Sequence, residues 1–448
     1  MNPASLALAE RATPRYTSYP TAPHFSDAVG PEQMRLWLGG LPETATLSLY
    51  LHVPFCAEIC AYCGCHTKAL RQDAPLTIYK ETLLREIELI AGATKARRVV
   101  SIHWGGGTPG MLGPARFSEI SECIGRHFDV GPHTEHAIEL DPRLLNEPLA
   151  EALARSGVNR ASLGVQDFNQ HVQEAAGRVQ PYETVVHAVR LLRDAGIAAL
   201  NFDLMYGLPH QTAEDVAQTA KLAAGLAPTR LAVFGYAHVP WFKTHQKLID
   251  AKVLAGAAER LAQAEIARVT LEAAGYQSVG LDHFALPDDA LAKSAREGTM
   301  RRNFQGYTID AADALLPLGV SSIGRLPDGF VGNATDNAGW RRAVESGSFA
   351  TTRGLAFTRE DIARGAVIER LMCDFTVNFG GLAEEHGFPT EIFDLARAQL
   401  DALAEEGLAE VSDRTVSMTP VGRPFVRLAA AAFDAYLSAN AARHSVAV

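Results

Sequence analysis

Six short apolar runs rich in β-branched residues recur along the chain, each ending in polar or glycine-rich positions. They span residues 46–54, 99–104, 136–140, 160–165, 199–205 and 231–236. The segments between them carry helical spacing. In 181–196, for example, Val185, Val186, Val189, Leu191 and Leu192 recur at helical intervals. Strand candidates alternating with helix candidates predict an α/β fold of parallel βα units. The strands read as apolar on both faces, as buried parallel strands do. Periodicity alone leaves barrel and open sheet undecided.

Past the sixth run, Leu261, Ala262, Ile266, Val269 and Ala273 predict a helix over 258–274. A short strand at 278–281 and a polar loop at 301–307 follow. A small C-terminal unit is expected to start near Phe357. There Thr358 and Asp361 have the spacing of a helix N-terminal cap. Residues 408–418, followed by a helix from Pro420, resemble a hairpin and helix of winged-helix type.

Chemistry-bearing residues sit just after the strands. Cys56–Cys65 follows the first, Gly105-Gly106-Gly107-Thr108-Pro109 the second and Asp141-Pro142-Arg143 the third. Gln166-Asp167 follows the fourth, Tyr206–Pro209 the fifth and Ala237-His238 the sixth. In parallel βα folds the active site forms at the C-terminal strand ends.

Composition narrows the class. The 448 residues are 47% hydrophobic and 21% charged, with a formal net charge of −10, so a general nucleic-acid footprint is excluded. An anionic substrate needs its own local basic pocket. The apolar stretch at 4–9 runs into Glu10 and Arg11, unlike a signal peptide. No run reaches the ~18 apolar residues of a membrane span. The expected compartment is the cytoplasm, where thiols stay reduced.

That compartment disfavours a disulfide reading of Cys56-x3-Cys60-x2-Cys63-x-Cys65, which holds four of the six cysteines. Three closely spaced thiolates suit a [4Fe–4S] cluster with one iron left open for chemistry. Zinc or a plain structural role remains open at this point, although structural zinc usually takes two separated pairs.

The cysteine spacing after one strand, with Gly-Gly-Gly-Thr-Pro after the next, resembles the radical S-adenosylmethionine superfamily. Within it the chain is similar, nearly end to end, to the oxygen-independent coproporphyrinogen III oxidases (dehydrogenases). Residues 15–21 (RYTSYPT), Cys63-Gly64-Cys65, 164–169 (GVQDFN), 203–209, Asp282-His283-Phe284 and 303–307 (NFQGY) carry the resemblance. It implies a partial (β/α)6 radical-SAM barrel at 41–350, an N-terminal arm at 1–40 and a small, mainly helical C-terminal domain at 351–448. The implied reaction is anaerobic oxidative decarboxylation of two propionates of coproporphyrinogen III to vinyls, giving protoporphyrinogen IX. A 5′-deoxyadenosyl radical, from reductive cleavage of S-adenosylmethionine, would start it by taking hydrogen from the propionate β-carbon.

Position by position, the resemblance makes Cys56, Cys60 and Cys63 the cluster ligands. Tyr50, Tyr62, Gly106, Gly107, Thr108, Glu139, Asp203, Ala237 and Ile323 become cofactor contacts. Gln166 and Arg178 would serve a second S-adenosylmethionine. Cys65 separates the oxidase pattern from the related haem-chaperone branch, and its own role is open, a catalytic one included. Gly235 stands where the family often has Asn. Arg11, Arg15, Arg301 and Arg302 are nominated as partners for the substrate carboxylates. Each residue also has a plainer reading: strand core for Tyr50, a turn for the glycines, a solvated charge for Arg178. His52, His103 and His238 stay outside the catalytic list. The implied partners are the tetrapyrrole and an electron donor such as a flavodoxin or ferredoxin, with no nucleic acid, no membrane and a monomeric state. The alternatives are a haem chaperone or another tetrapyrrole-acting member of the superfamily.

Overall fold

The computed structural model describes residues 7–437. The ends of the expected arm and C-terminal unit, and part of the 4–9 stretch, lie outside the described residues.

All six expected strands form: β1 (Leu47–Val53), β2 (Arg98–Gly106), β3 (Asp129–Leu140), β4 (Arg160–Gln166), β5 (Ala199–Tyr206) and β6 (Arg230–Gly235). They pair parallel in chain order. The crossovers contain α1 (Ala74–Ala93), α2 (Gly113–His127), α3 (Glu147–Arg155), α4 (Tyr182–Asp194) and α5 (Ala213–Gly225). Helix α6 (Ala257–Ala273) follows β6.

The strands are not apolar on both faces. Leu47, Leu49, Leu51 and Val53 of β1 enter the main core, as do Ala161, Leu163 and Val165 of β4 and Leu200, Phe202 and Leu204 of β5. The alternate positions hold Ser48, Tyr50, His52, Ser162, Asn201 and Asp203. Period-2 geometry therefore sends one face to the helices and gives the other a polar lining.

The sheet extends to twelve strands. Beyond β6 lie β7 (Gln277–Val279) and β8 (His283–Ala285), with β8 antiparallel to β6. Beyond β1 lies β9 (Ala314–Leu318), parallel to it. Then come β10 (Ile323–Leu326), β11 (Gly329–Asn333) and β12 (Thr351–Ala356), all antiparallel. Glycine masks these outer strands in the sequence. It is required where backbones approach closely: a Cβ at Gly324 would lie 2.6 Å from the Leu315 carbonyl oxygen. The expected polar loop at 301–307 is a hairpin pairing Arg301–Asn303 with Gly306–Thr308.

A second apolar core gathers Leu371, Phe379, Phe393, Phe425 and Phe433 with Ala9, Tyr16 and Tyr19 of the arm. Helix α7 (Arg359–Asp374) opens with the expected cap. Thr358 Oγ1 accepts from the Asp361 N–H at 3.0 Å, and the Asp361 carboxylate accepts from the Thr358 N–H at 2.9 Å. The expected hairpin forms as β14 (Ala409–Ser412) and β15 (Thr415–Met418), joined by β13 (Thr376–Asn378). The arm is tied to this core. Tyr16 Oη donates to Asp434 at 3.0 Å, and Arg427 Nε donates to the Pro14 carbonyl at 2.9 Å. Among the described residues, no helix is long and apolar enough to cross a membrane.

Glu86 of α1 pins the helix to the sheet. Its carboxylate accepts from Gly319 N at 2.6 Å and Asn333 Nδ2 at 2.7 Å. Burial pushes the carboxyl up to about 7, and the two donors only partly offset that. The folded protein thus holds a proton that the unfolded chain releases near pH 4.3, so this group's stabilisation is lost as pH rises from about 4.3 to about 7. Glu86→Gln should flatten the fall in thermal unfolding midpoint across that window. Parallel pH profiles for the variant and the parent would contradict this.

Candidate active site at the C-terminal strand ends

The cysteine loop is held by main-chain contacts with the glycine loop after β2. Gly107 N donates to the Val53 carbonyl at 2.8 Å, and Thr108 N donates to the Phe55 carbonyl at 2.7 Å. A Cβ at Gly107 would lie 2.5 Å from the Phe55 oxygen and overlap Thr67, so only glycine permits this approach. Gly106 has φ +111°, and a Cβ there would lie 2.8 Å from the His52 ring. Phe55–Cys56 pairs with Lys68–Ala69 and closes the loop on itself.

The Cys56 and Cys60 thiols hold distinct positions. Cys56 Sγ lies 3.2 Å from Thr67 Oγ1 and accepts from Thr108 Oγ1 at 3.5 Å. Cys60 Sγ accepts from Arg178 Nη1 at 3.5 Å. The Cys56 thiol is pushed up by burial first, and the neighbouring Cys63 and Cys60 add to that. All six cysteines are free. A single tetrahedral zinc needs sulfurs about 3.8 Å apart. Among the described residues, one group of three potential ligand side chains converges to within 4.8 Å, and it is Glu88, Cys123 and His127, not the loop cysteines. The loop thiols are therefore not drawn together as a single tetrahedral ion requires.

The polar face of the strands leads into this loop. Tyr50 Oη and His52 Nδ1 lie 3.0 Å apart, and His52 Nε2 is 2.9 Å from the His66 carbonyl. A carbonyl only accepts, so Nε2 carries the proton; burial keeps the ring neutral, and Nδ1 accepts from Tyr50. The Tyr50 ring stacks on His103 at 6.0 Å. His103 Nε2 donates to Glu139 at 3.1 Å, and Gly106 N donates to the same carboxylate at 3.2 Å. Burial works to raise the Glu139 carboxyl, but His103 and Gly106 outweigh it and leave it below its ordinary value. Asp203 accepts from Ser162 at 2.8 Å and Asn201 at 2.9 Å. Desolvation still pushes its carboxyl up to about 6.

The other nominated residues divide. Gln166, at φ +68°, and Arg178 both converge on Gly164. Arg178 also reaches Asp141 at 3.2 Å; burial opposes its charge, but Tyr62, Asp141 and Cys60 hold it protonated. Tyr62 is buried in a small apolar cluster with Val172, Leu208 and Tyr236. The Ala237 carbonyl accepts from Gln246 at 3.3 Å. The pairing of Leu315 with Arg325 carries Ile323 to the level of Pro317, which lies beside Tyr50. Cys65 is exposed and its thiol meets that of Cys63. Of the nominated arginines, Arg301 is paired with Glu369 at 3.1 Å, whereas Arg302 donates to the carbonyls of Arg15 and Tyr16.

Three residues after β6 had no signal in the sequence. Lys243, His245 and Gln246 donate to the carbonyls of Cys65, Cys63 and Tyr62 at 2.8, 2.7 and 2.8 Å. Their targets are main-chain atoms, which no side-chain pattern records. His52 and His103, set aside as lone histidines, were legible as neighbours of Tyr50 on one strand face and across a strand pair.

Comparison with known proteins places this geometry. A model of the radical SAM superfamily matches residues 50–223. The oxygen-independent coproporphyrinogen III oxidase of Bradyrhizobium diazoefficiens is 44% identical, over 99% of each chain. The Escherichia coli K12 protein of that name is 37% identical, over 96% of this chain and 94% of its own. A solved coproporphyrinogen III oxidase from Escherichia coli, described as a radical SAM enzyme, superposes with a TM-score of 0.90. That match covers 94% of this chain and 98% of the other at 37% identity.

Two outcomes test the loop. After anaerobic reconstitution with iron and sulfide, Cys56→Ser, Cys60→Ser and Cys63→Ser should each lose visible charge-transfer absorbance, while Cys65→Ser keeps it. Loss in Cys65→Ser with retention in Cys63→Ser would reverse the ligand assignment. Gly107→Ala should cost about 1–3 kcal/mol by overpacking, read by denaturant unfolding, and lower iron uptake per chain. Unchanged stability would show that the loop yields without cost.

Proposed function

The chain belongs to the oxygen-independent coproporphyrinogen III oxidases of the radical SAM superfamily, and from that premise we propose how its own residues carry the reaction. It converts coproporphyrinogen III in haem biosynthesis without oxygen. Cys56, Cys60 and Cys63 would hold the [4Fe–4S] cluster, and the strand ends would bind S-adenosylmethionine beside it. When bound, these groups would supply the low-potential electron and the hydrogen-abstracting chemistry. In this proposal the six parallel strands act as the partial (β/α)6 barrel that carries the site, and the C-terminal unit is winged-helix-like.

Each side chain then has a task set by its surroundings. The backbone of Gly106 and Gly107 and the Glu139 carboxylate present acceptors and donors to the cofactor's amine and carboxylate. Glu139 stays ionised because His103 and Gly106 stabilise its charge. Asp203 is placed to bind ribose hydroxyls and is the half-protonated group of the set near pH 6. Tyr50 and neutral His52 fix the wall beside the glycine loop, and Ala237 and Ile323 add main-chain and apolar contacts. At the substrate, loss of a hydrogen atom to the cofactor-derived species, of CO2, and of one further electron to an external one-electron acceptor leaves a vinyl group from each propionate. Two propionates react, giving protoporphyrinogen IX.

A second S-adenosylmethionine belongs to the proposal, supported by the convergence of Gln166 and Arg178 on Gly164. So do a flavodoxin- or ferredoxin-type electron donor, a monomeric state and a cytoplasmic location, the last supported by six free cysteines. The observation that carries the reading is the glycine-clamped cysteine loop at the open end of the polar strand face.

An anaerobic assay with coproporphyrinogen III, S-adenosylmethionine and a reductant tests it. Protoporphyrinogen IX, CO2 and 5′-deoxyadenosine should accumulate together. Cofactor cleavage without a decarboxylated tetrapyrrole would make the substrate wrong. Stoichiometric haem retention without decarboxylation would make the protein a carrier.

A further inference from the structure

Four guanidinium groups from four separate parts of the chain meet beside the ends of β5 and β6. Arg15 of the arm donates to the Gly235 carbonyl at 3.0 Å. Arg260 of α6 donates to the Tyr236 carbonyl at 2.8 Å and lies over the Tyr206 ring at 5.6 Å. Arg302 of the 301–308 hairpin donates to the carbonyls of Tyr16 and Arg15 at 3.1 and 3.2 Å and stacks on Tyr307 at 4.3 Å. Arg427 of the second core donates to the carbonyls of Pro14 and Thr13.

The cations repel one another. Burial and then Arg15, with Arg302 adding, lower Arg427 to about 9, and burial and then Arg15 lower Arg260. Asp282 feels both Arg302 and Arg15 and is already engaged by His283 Nδ1 at 2.7 Å. Among the described residues, the guanidinium groups of Arg15 and Arg302 pair with no carboxylate, although the Arg302 backbone N–H donates to Glu369 at 3.1 Å, and Nη1 of Arg302 is buried without any hydrogen-bond partner. The main-chain carbonyls that accept from Arg15 and Arg302 carry no charge, and the buried Nη1 of Arg302 is costly until an acceptor anion completes it.

We propose that Arg15, Arg302 and Arg427, with Arg260 at the floor, form a carboxylate subsite that holds a propionate of the tetrapyrrole. This rests on the proposed function and deepens it by assigning substrate-recognition residues. The location suits the role. Gly235, whose carbonyl binds Arg15, is two residues from Ala237, and Tyr206 is three from Asp203, so the subsite adjoins the strand ends given to the cofactor. Guanidinium forks pair bidentately with carboxylates, which fixes orientation as well as charge. Because the subsite joins arm, hairpin and C-terminal core, it also gives those segments a common task. A cavity of about 580 Å³, bounded by Tyr16, Arg302, Phe304 and Arg325, shares Arg302 with the subsite.

Equilibrium dialysis of the anaerobically reconstituted full chain, without reductant, tests the subsite with two probes: coproporphyrin III, the stable oxidised macrocycle, and its tetramethyl ester. Arg302→Gln and Arg15→Gln should each weaken coproporphyrin III binding about tenfold or more, as loss of a charged hydrogen bond requires. Ester binding should shift by less than about twofold, S-adenosylmethionine binding should hold, and Arg302→Lys should recover part of the loss. Exposed Arg15 keeps the test intact if the Arg302 variants unfold. Unchanged coproporphyrin III binding, or equal losses for acid and ester, would overturn the subsite while leaving the proposed function standing. Loss of S-adenosylmethionine binding instead would assign the arginines to the cofactor's carboxylate and overturn the proposal. A parent protein that binds neither porphyrin would count against the proposed function itself.

Discussion

The contact between Gly107-Thr108 and the carbonyls of Val53 and Phe55 is the constraint on which the site depends. Two short main-chain hydrogen bonds lock the cysteine loop onto the end of the parallel sheet. They form only because residue 107 has no side chain. That fixes Cys56 against Thr67 and Thr108, and the carbonyls of the later loop are tied down in turn by Lys243, His245 and Gln246. The same glycine loop presents Gly106 N to Glu139, so the proposed metal side and cofactor side share one piece of backbone.

Electrostatics divides the mouth into two halves. On the β1–β3 side, Glu139 is compensated by His103 and a main-chain donor, and Arg178 is answered by Asp141 and Cys60. On the β5–β6 side, positive charge accumulates around Arg15, Arg302 and Arg427. A chain with net charge −10 thus keeps a local basic pocket where an acidic tetrapyrrole would need one. The arm and the C-terminal core matter to function for this reason: they deliver cations that the parallel sheet alone does not carry.

Much of this was legible in the sequence, for identifiable reasons. The six strands show because apolar runs such as 199–205 end abruptly in glycine or charge. The cysteine loop shows because its spacing is local, and the cap at Thr358 and Asp361 shows because its partners lie within one helical turn. The polar face of the strands was hidden, since Ser162, Asn201 and Asp203 are too few among apolar neighbours to mark an alternation. Strands β9–β12 were hidden by the glycines that let them pack. The arginine cluster was half visible: Arg15 and Arg302 follow from the need for cations, Arg301 is spent on Glu369, and Arg427 lies hundreds of residues away from its neighbours. Contacts of that separation leave no trace in spacing.

The central claim is that this site takes a hydrogen atom from the propionate β-carbon of a tetrapyrrole. The most direct measurement uses coproporphyrinogen III deuterated at those carbons, with mass analysis of the 5′-deoxyadenosine formed during anaerobic turnover. The account predicts 5′-deoxyadenosine carrying one deuterium for each propionate converted. Unlabelled 5′-deoxyadenosine accompanying full conversion to vinyl product would contradict it.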